Sequence, residues 1–329
     1  LLGNEMNIFI FLWMVVFAGC QAQNTPFLDS SGEQYDPGDE EAVSTRTTPK
    51  KVDQNCVCGQ VNNVREDDER IINGVEVFPK FKYPWMVALK YKGQFNCGGS
   101  LINSKFVLTA AHCVIDRDPT LYELVFGAHY LADIEINNLP DSADQSPLLR
   151  RKVSGIIVHE KYDQNVSTSE YDIALLKLAS RVNFTKHISP ACLPRHSDVY
   201  TQPVKRAIIM GWGKTEVSTG ASDVLKEARV KAFNPADCRK QTLWIMVPVN
   251  ITDTMICEAA IEKGSCQGDS GGPLVVKEAT SFTQLGIASF AFKYKCAQQG
   301  LPGIYTSVPS FVNFIYTHTN KGRYCRNPD

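Results

Sequence analysis

Three short stretches of the 329-residue chain hold residue types that can carry out acyl transfer. The first is Gly268-Asp269-Ser270-Gly271-Gly272-Pro273. A serine hydroxyl is a weak nucleophile at neutral pH and needs a base beside it. It also needs N–H donors aimed at the oxyanion that forms when it attacks a carbonyl, and flanking glycines let backbone amides come close. The second stretch, Leu108-Thr109-Ala110-Ala111-His112-Cys113, puts an imidazole just past a β-rich run and ties it down through a neighbouring cysteine. The third, Tyr171-Asp172-Ile173-Ala174-Leu175-Leu176, sets a carboxylate at the head of an apolar strand. A carboxylate buried there seeks a donor such as an imidazole N–H. A glycine-rich loop alone is a turn, and a lone histidine is more often structural than catalytic. The order His, Asp, Ser, with separations of 60 and 98 residues, turns the three into a nucleophile, its base and the group that orients the base.

The elements that must position these residues are strands. Short β-rich runs recur between turn residues: Trp85–Lys90, Phe106–Thr109, Val153–His159, Ile173–Leu178, Ala207–Met210, Leu274–Val276, Leu285–Phe290 and Gly303–Val308. Many short strands without long helices predict a sandwich or barrel. Phe311, Phe314, Ile315 and His318 recur at helical spacing after Pro309, which predicts a C-terminal helix docked by its apolar face. Asn234-Pro235 reads as a helix start before Cys238.

Composition is ordinary for a globular chain, with 43% hydrophobic and 21% charged residues. The net charge of -1 gives no reason to expect a nucleic-acid partner. The charge is uneven. Gln23 to Arg70 holds 11 acidic and 5 basic residues, and Ile71 to Asp329 holds 23 acidic and 29 basic. Leu1 to Glu5 precede Met6, and Ile8 to Gly19 is an apolar run of 12 residues, too short to span a bilayer and suited to the core of a secretory signal. The expected organisation is a signal peptide over 1–22, an acidic, disordered propeptide over 23–70 and a catalytic body over 71–329. With Cys20 removed in the signal, ten of the 11 cysteines remain, and in a secreted chain they are expected as disulfides. The Cys56-Val57-Cys58 spacing is one residue too tight for a usual zinc pair. Sequons at Asn165, Asn183 and Asn250 agree with secretion and predict glycosylation.

The three motifs, in this order, resemble those of the trypsin/chymotrypsin family of serine proteases, and the resemblance runs from about Ile71 to Lys321. It implies an all-β fold of two six-stranded antiparallel barrels with a C-terminal helix and the active residues in the crevice between them. It implies Ser270 as nucleophile, His112 as general base and acid, and Asp172 as the group that orients His112. It implies an oxyanion hole from the N–H groups of Gly268 and Ser270, and a supporting role for Ser289. It also implies a precursor: a cut between Arg70 and Ile71 by a trypsin-like activator frees an amino terminus that pairs with Asp269. Disulfides follow the family by position, as Cys97–Cys113, Cys238–Cys257 and Cys266–Cys296. Cys192 joins the leader through Cys56 or Cys58, and the remaining leader cysteine pairs with Cys325. A further family bridge is absent, its positions being Ala207 and Val276.

In the family, the residue six before the nucleophile floors the primary specificity pocket. That residue is Gly264, with Ala291 and Gly303 on the walls. None carries a charge, so the resemblance implies cleavage after large apolar residues, chymotrypsin-like or elastase-like. A shifted loop count would instead bring Asp269 or Glu262 toward the pocket. Gly127-Ala128-His129 lacks the first carboxylate of the family's calcium loop, so neither metal nor other cofactor is expected. Expected partners are protein or peptide substrates, the activating protease and protein protease inhibitors, with no membrane partner. A non-catalytic homologue would need a lost member of the three, and all three stand.

Overall fold

The structure is a computed structural model and describes residues 51–62, 74–136, 147–165, 169–195, 205–214, 220–240, 250–259, 264–290 and 302–328. The short apolar runs become strands. The chain enters through β1 (Val52–Val57) and the two-residue β2 (Val75–Glu76). Then come β3 (Met86–Tyr91), β4 (Gln94–Asn103), β5 (Phe106–Thr109) and β6 (Tyr122–Phe126), the short helix α1 (Leu131–Glu135), β7 (Leu149–Val158) and β8 (Ala174–Leu178). The second half contains β9 (Lys205–Gly211), β10 (Lys226–Phe233), helix α2 (Pro235–Arg239), β11 (Met255–Ala259), β12 (Pro273–Glu278), β13 (Ser281–Phe290) and β14 (Gly303–Ser307). Helix α3 (Val312–His318) and β15 (Tyr324–Arg326) end it.

β3 to β8 close into an antiparallel barrel in the order β3-β4-β5-β8-β7-β6. A second ring runs β11-β14-β13-β12-β9-β10 and is closed by the β10–β11 pairing, with β2 added at the edge of β10. These are the two six-stranded barrels that the resemblance implies. The tight β3–β4 hairpin turns at Lys92-Gly93, both at positive φ (49° and 85°), which matches the twist of the flanking strands. Val87, Leu101, Val107, Leu124 and Leu176 are fully buried in the first barrel. Each contributes about 1.5–3 kcal/mol by leaving water. Ile256, Leu274, Leu285 and Tyr305 fill the second. Ala207 and Val276, the positions of the absent bridge, are cross-strand partners buried in that core, so an apolar contact replaces the bond. Helix α2 starts as expected, with the Asn234 side chain accepting from the Asp237 N–H at 2.8 Å. The C-terminal segment docks through Phe311 and Ile315, which join the core of the first barrel.

The leader departs from the expectation of a disordered segment over its described residues. β1 pairs in parallel with β15, and Cys56–Cys325 and Cys58–Cys192 fasten it to the body. This decides which leader cysteine meets Cys192. Gly59, at φ 67°, donates to the Pro190 carbonyl at 2.8 Å and accepts from the Phe282 N–H at 2.9 Å. A Cβ there would stand 2.4 Å from the Phe282 oxygen, so only glycine fits. Cys97–Cys113 and Cys238–Cys257 form as expected. Cys266 is also disulfide-bonded. Cys296 lies outside the described residues, as do the signal segment, Arg70, Ile71, Ala291 and Glu262. No helix among the described residues is long and apolar enough to cross a membrane.

Candidate active site

His112 sits on a single helical turn, Ala111–Val114, that follows β5 directly. The Cys97–Cys113 bond ties this turn to β4, and Asn96 Nδ2 donates to the Cys113 carbonyl at 3.1 Å. Asp172 comes from the adjacent strand of the same barrel, just before β8, where Ala174 pairs with Thr109 of β5. The preceding Tyr171 has φ 56°, an uncommon conformation for a bulky residue. Its ring stacks on His159 and meets Phe311 edge-on, contacts that hold the bend.

The two side chains meet at short range. His112 Nδ1 lies 2.7 Å from Asp172 Oδ2, and the His112 backbone N–H donates to Asp172 Oδ1 at 2.9 Å. Ser289 Oγ, from β13 of the second barrel, donates to Asp172 Oδ2 at 2.5 Å, and Thr306 Oγ1 donates to the Asp172 carbonyl at 2.9 Å. Both carboxylate oxygens are therefore engaged, and two contacts at Asp172 tie the two barrels together. Asp172 keeps 1% of its side chain exposed and His112 keeps 30%, so the pair is closed at the carboxylate and open at the imidazole. Burial pushes the Asp172 carboxyl up, but the His112 charge and hydrogen bond, with Ser289 and the backbone N–H, outweigh it and hold the group below its ordinary value. Burial pulls His112 toward its neutral form, and the Asp172 charge and hydrogen bond outweigh that pull, so its pKa is raised.

The Ser270 loop is pressed against the strands that lead to His112. The Gly98 N–H donates to the Ser270 carbonyl at 2.8 Å, and the Gly271 N–H donates to the Ala288 carbonyl at 2.7 Å. Gly271, at φ 76°, packs so tightly that a Cβ would stand 2.2 Å from Thr109 Oγ1. Thr109 ends β5, three residues before His112. Among the described residues the Gly268 and Ser270 N–H groups donate to no backbone carbonyl. Ser270 Oγ makes no hydrogen bond to His112 in this structure, and Nε2 lies 3.7 Å from Cys113 Sγ. Cys97, His112 and Cys113 cluster closely enough to suggest a metal site, but both sulfurs belong to a disulfide and offer no thiolate.

Asp269 lies behind this loop in a cradle of glycines. Its Oδ1 accepts from the Gly213 N–H and its Oδ2 from the Cys266 N–H, both at 2.8 Å. A Cβ on Gly211 or Gly213 would overlap the carboxylate. Burial pushes its pKa up to about 6 against these two hydrogen bonds, and no cation faces it among the described residues.

Of the residues that the resemblance assigns to the specificity pocket, Gly264 and Gly303 are described. Sequence reasoning missed Glu258 on β11, which pairs in register with Gly303. It is 1% exposed, and its Oε1 accepts from the Ser265 N–H at 3.0 Å. A signal was present, since a charged residue interrupts the apolar run Met255-Ile256-Cys257, but only the β11–β14 pairing shows where it points. The sequon residues Asn165, Asn183 and Asn250 are all exposed.

The comparisons agree with this geometry. The trypsin family model matches residues 71–315. The chain is 33% identical to the proclotting enzyme of Tachypleus tridentatus over 297 residues, covering 84% of this chain and 73% of that protein. It is 33% identical over 243 residues to a venom serine protease of Bombus ignitus, covering 70% and 63%. A CLIP domain-containing serine protease of Bombyx mori is likewise 33% identical over 288 residues, covering 83% and 75%. With two closed barrels, the His112–Asp172 pair and these relatives together, the chain belongs to the trypsin family and is a serine endopeptidase.

Proposed function

We propose that the chain is a secreted precursor that becomes an endopeptidase when cleaved after Arg70, with Ser270, His112 and Asp172 as its catalytic residues. The observation that carries this reading is the His112–Asp172–Ser289 array, aligned across both barrels beside the Ser270 loop. In the mechanism, His112 takes the proton of Ser270 as the oxygen attacks the peptide carbonyl, then returns it to the leaving amine. Asp172 holds the imidazole with its proton on Nδ1 and stabilises the cation that forms. The N–H groups of Gly268 and Ser270 receive the oxyanion. Water then releases the acyl group by the same route.

The state of Asp269 supports the precursor reading. A buried carboxylate with two amide donors and no countercharge is primed for a cation, and the Ile71 ammonium exposed by cleavage supplies one. That pairing would pull on the loop containing Gly268 and Ser270 and complete the Ser270–His112 contact. The Tachypleus relative, itself named a proclotting enzyme, is in keeping with activation by another protease. The two leader disulfides imply that the leader stays attached afterwards. Exposed sequons are consistent with a glycosylated, secreted chain, and the open His112 face suits protein substrates and protein inhibitors. The pocket has no side chain at Gly264 or Gly303, so it admits a long side chain with an apolar stem, as in the expected preference for Phe, Tyr, Leu or Met. What the far end of that stem meets depends on Glu258.

The test is activation of the purified precursor with trypsin, followed by a serine-directed phosphonate and peptide mapping. Wild type is expected to carry the label on Ser270 only after the cut, and the Arg70→Gln precursor to stay unlabelled. Labelling of an uncut Arg70→Gln chain would overturn the activation reading, and no label on the cut wild type would overturn the catalytic one.

A further inference from the structure

One buried charge has no role in the mechanism above. Glu258 is 1% exposed on β11, and its Oε2 is buried without a hydrogen-bond partner among the described residues. A carboxyl oxygen in that position is costly unless something arrives to meet it. Its surroundings show what can arrive. Oε1 is held by the Ser265 N–H at 3.0 Å and lies 3.5 Å from Ser265 Oγ, and Ser265 directly follows Gly264. On the facing strand, a Cβ on Gly303 would come within 2.7 Å of Glu258 Oε1 and 2.7 Å of Ser265 Oγ. Glycine at 303 therefore makes room for the carboxyl group at the same wall that the substrate side chain passes.

We propose that Glu258 determines the specificity of the primary pocket, its carboxylate receiving the cationic end of a Lys or Arg side chain whose stem passes Gly264 and Gly303. The inference rests on the reading of Gly264 and Gly303 as pocket residues. It replaces the apolar preference expected from Gly264 alone, because the countercharge comes from the neighbouring strand rather than the floor. A stem of three or four methylenes followed by a cation satisfies both parts of the site: apolar burial along the stem and a partner for the open oxygen. A Phe or Leu side chain satisfies only the first and leaves Oε2 unmet.

Among the described residues, the titratable groups facing Glu258 are Asp269, whose charge favours the neutral carboxyl, and Tyr305 of β14, whose own pKa is raised by burial first and by Glu258 second. Burial pushes the Glu258 pKa up to about 7. A bound cation favours the ionised form, so the advantage of basic over apolar substrates should grow as pH rises through that value.

The experiment uses the trypsin-activated, trypsin-free enzyme, wild type and Glu258→Gln, on chromogenic peptides ending in Arg, Lys, Leu and Phe. Wild type is expected to favour Arg or Lys. The Gln variant should lower the Arg-to-Leu ratio of kcat/KM by about 100-fold, the scale of stranding one partner of a buried ion pair. Benzamidine, an aryl cation, should inhibit wild type and lose potency by a similar factor in the variant. If the variant does not fold, the wild-type panel from pH 6 to pH 9 decides, since the Arg-to-Leu ratio must rise through about pH 7. Wild-type preference for Phe or Leu at every pH, or an equal fall on all four peptides in the variant, would overturn the proposal while leaving the phosphonate result on Ser270 intact. Failure of that label would sink both.

Discussion

Replacing Asp172 by Asn tests whether the array around His112 works through the imidazole proton. The carboxylate accepts from two sides. Oδ1 takes the His112 backbone N–H, while Oδ2 takes Ser289 Oγ and faces His112 Nδ1 at 2.7 Å. An asparagine amide keeps one acceptor and gains one donor. With its NH2 toward the His112 backbone, two donors would confront each other at 2.9 Å, and the backbone N–H cannot turn away. With its NH2 toward Nδ1, Ser289 rotates its hydroxyl to accept and His112 moves its proton to Nε2. The second arrangement is cheaper, so His112 presents a donor to Ser270 and cannot take its proton. The cation formed during attack also loses its countercharge. Together these should lower kcat by about 10⁴-fold, the size of a wrong-tautomer effect in such triads, or about 5.5 kcal/mol of transition-state stabilisation. KM should change little, because Asp172 is buried away from substrate. The assay is steady-state hydrolysis by the activated variant, normalised to total folded enzyme, with thermal unfolding as the check on folding. A fall of less than about tenfold, the worth of one ordinary hydrogen bond, would refute the tautomer argument and with it the role assigned to Asp172.

Two further outcomes follow from the leader and from Glu258. After cleavage at Arg70, a non-reducing gel should show one species and a reducing gel two, because two independent bridges retain the leader. Only the double Cys56→Ser, Cys58→Ser variant should release the leader without reductant, and its release from either single variant would contradict the pairing. Glu258 has a folded pKa of about 7 against 4.5 for the free group. A raised carboxyl pKa costs nothing below pH 4.5; the cost grows between the two values and is complete above the folded one. The Glu258→Gln precursor should therefore match wild type at about pH 4 and exceed it at pH 8 by up to about 3 kcal/mol in denaturant unfolding. A difference independent of pH would show that Glu258 is not buried in its ionised form.

The residues that do the chemistry are legible locally. Gly268-Asp269-Ser270-Gly271-Gly272 needs glycines because the loop must pass within contact of Thr109 and Gly98, and that demand is written into the residue types themselves. Eight of the twelve barrel strands could be read as short apolar runs because burial selects residue types along each run, and β5, Phe106–Thr109, matches its run end to end; β4, β6, β10 and β11 could not. What the sequence could not determine depends on partners distant along the chain. β1 has no apolar periodicity. It is ordered by β15 and by a bond from Cys56 to Cys325, 269 residues away, so its own residues predict disorder. The choice between Cys56 and Cys58 for Cys192 rests on which sulfur the β1–β15 pairing brings within reach. The same holds at the pocket. Counting from Ser270 locates Gly264 but not the side chain that fills the space glycine leaves. That is decided by the register of β11 against β14, which sets Glu258 opposite Gly303. A motif records what its own backbone requires, whereas a charge delivered from a neighbouring strand is recorded only in how the strands pair.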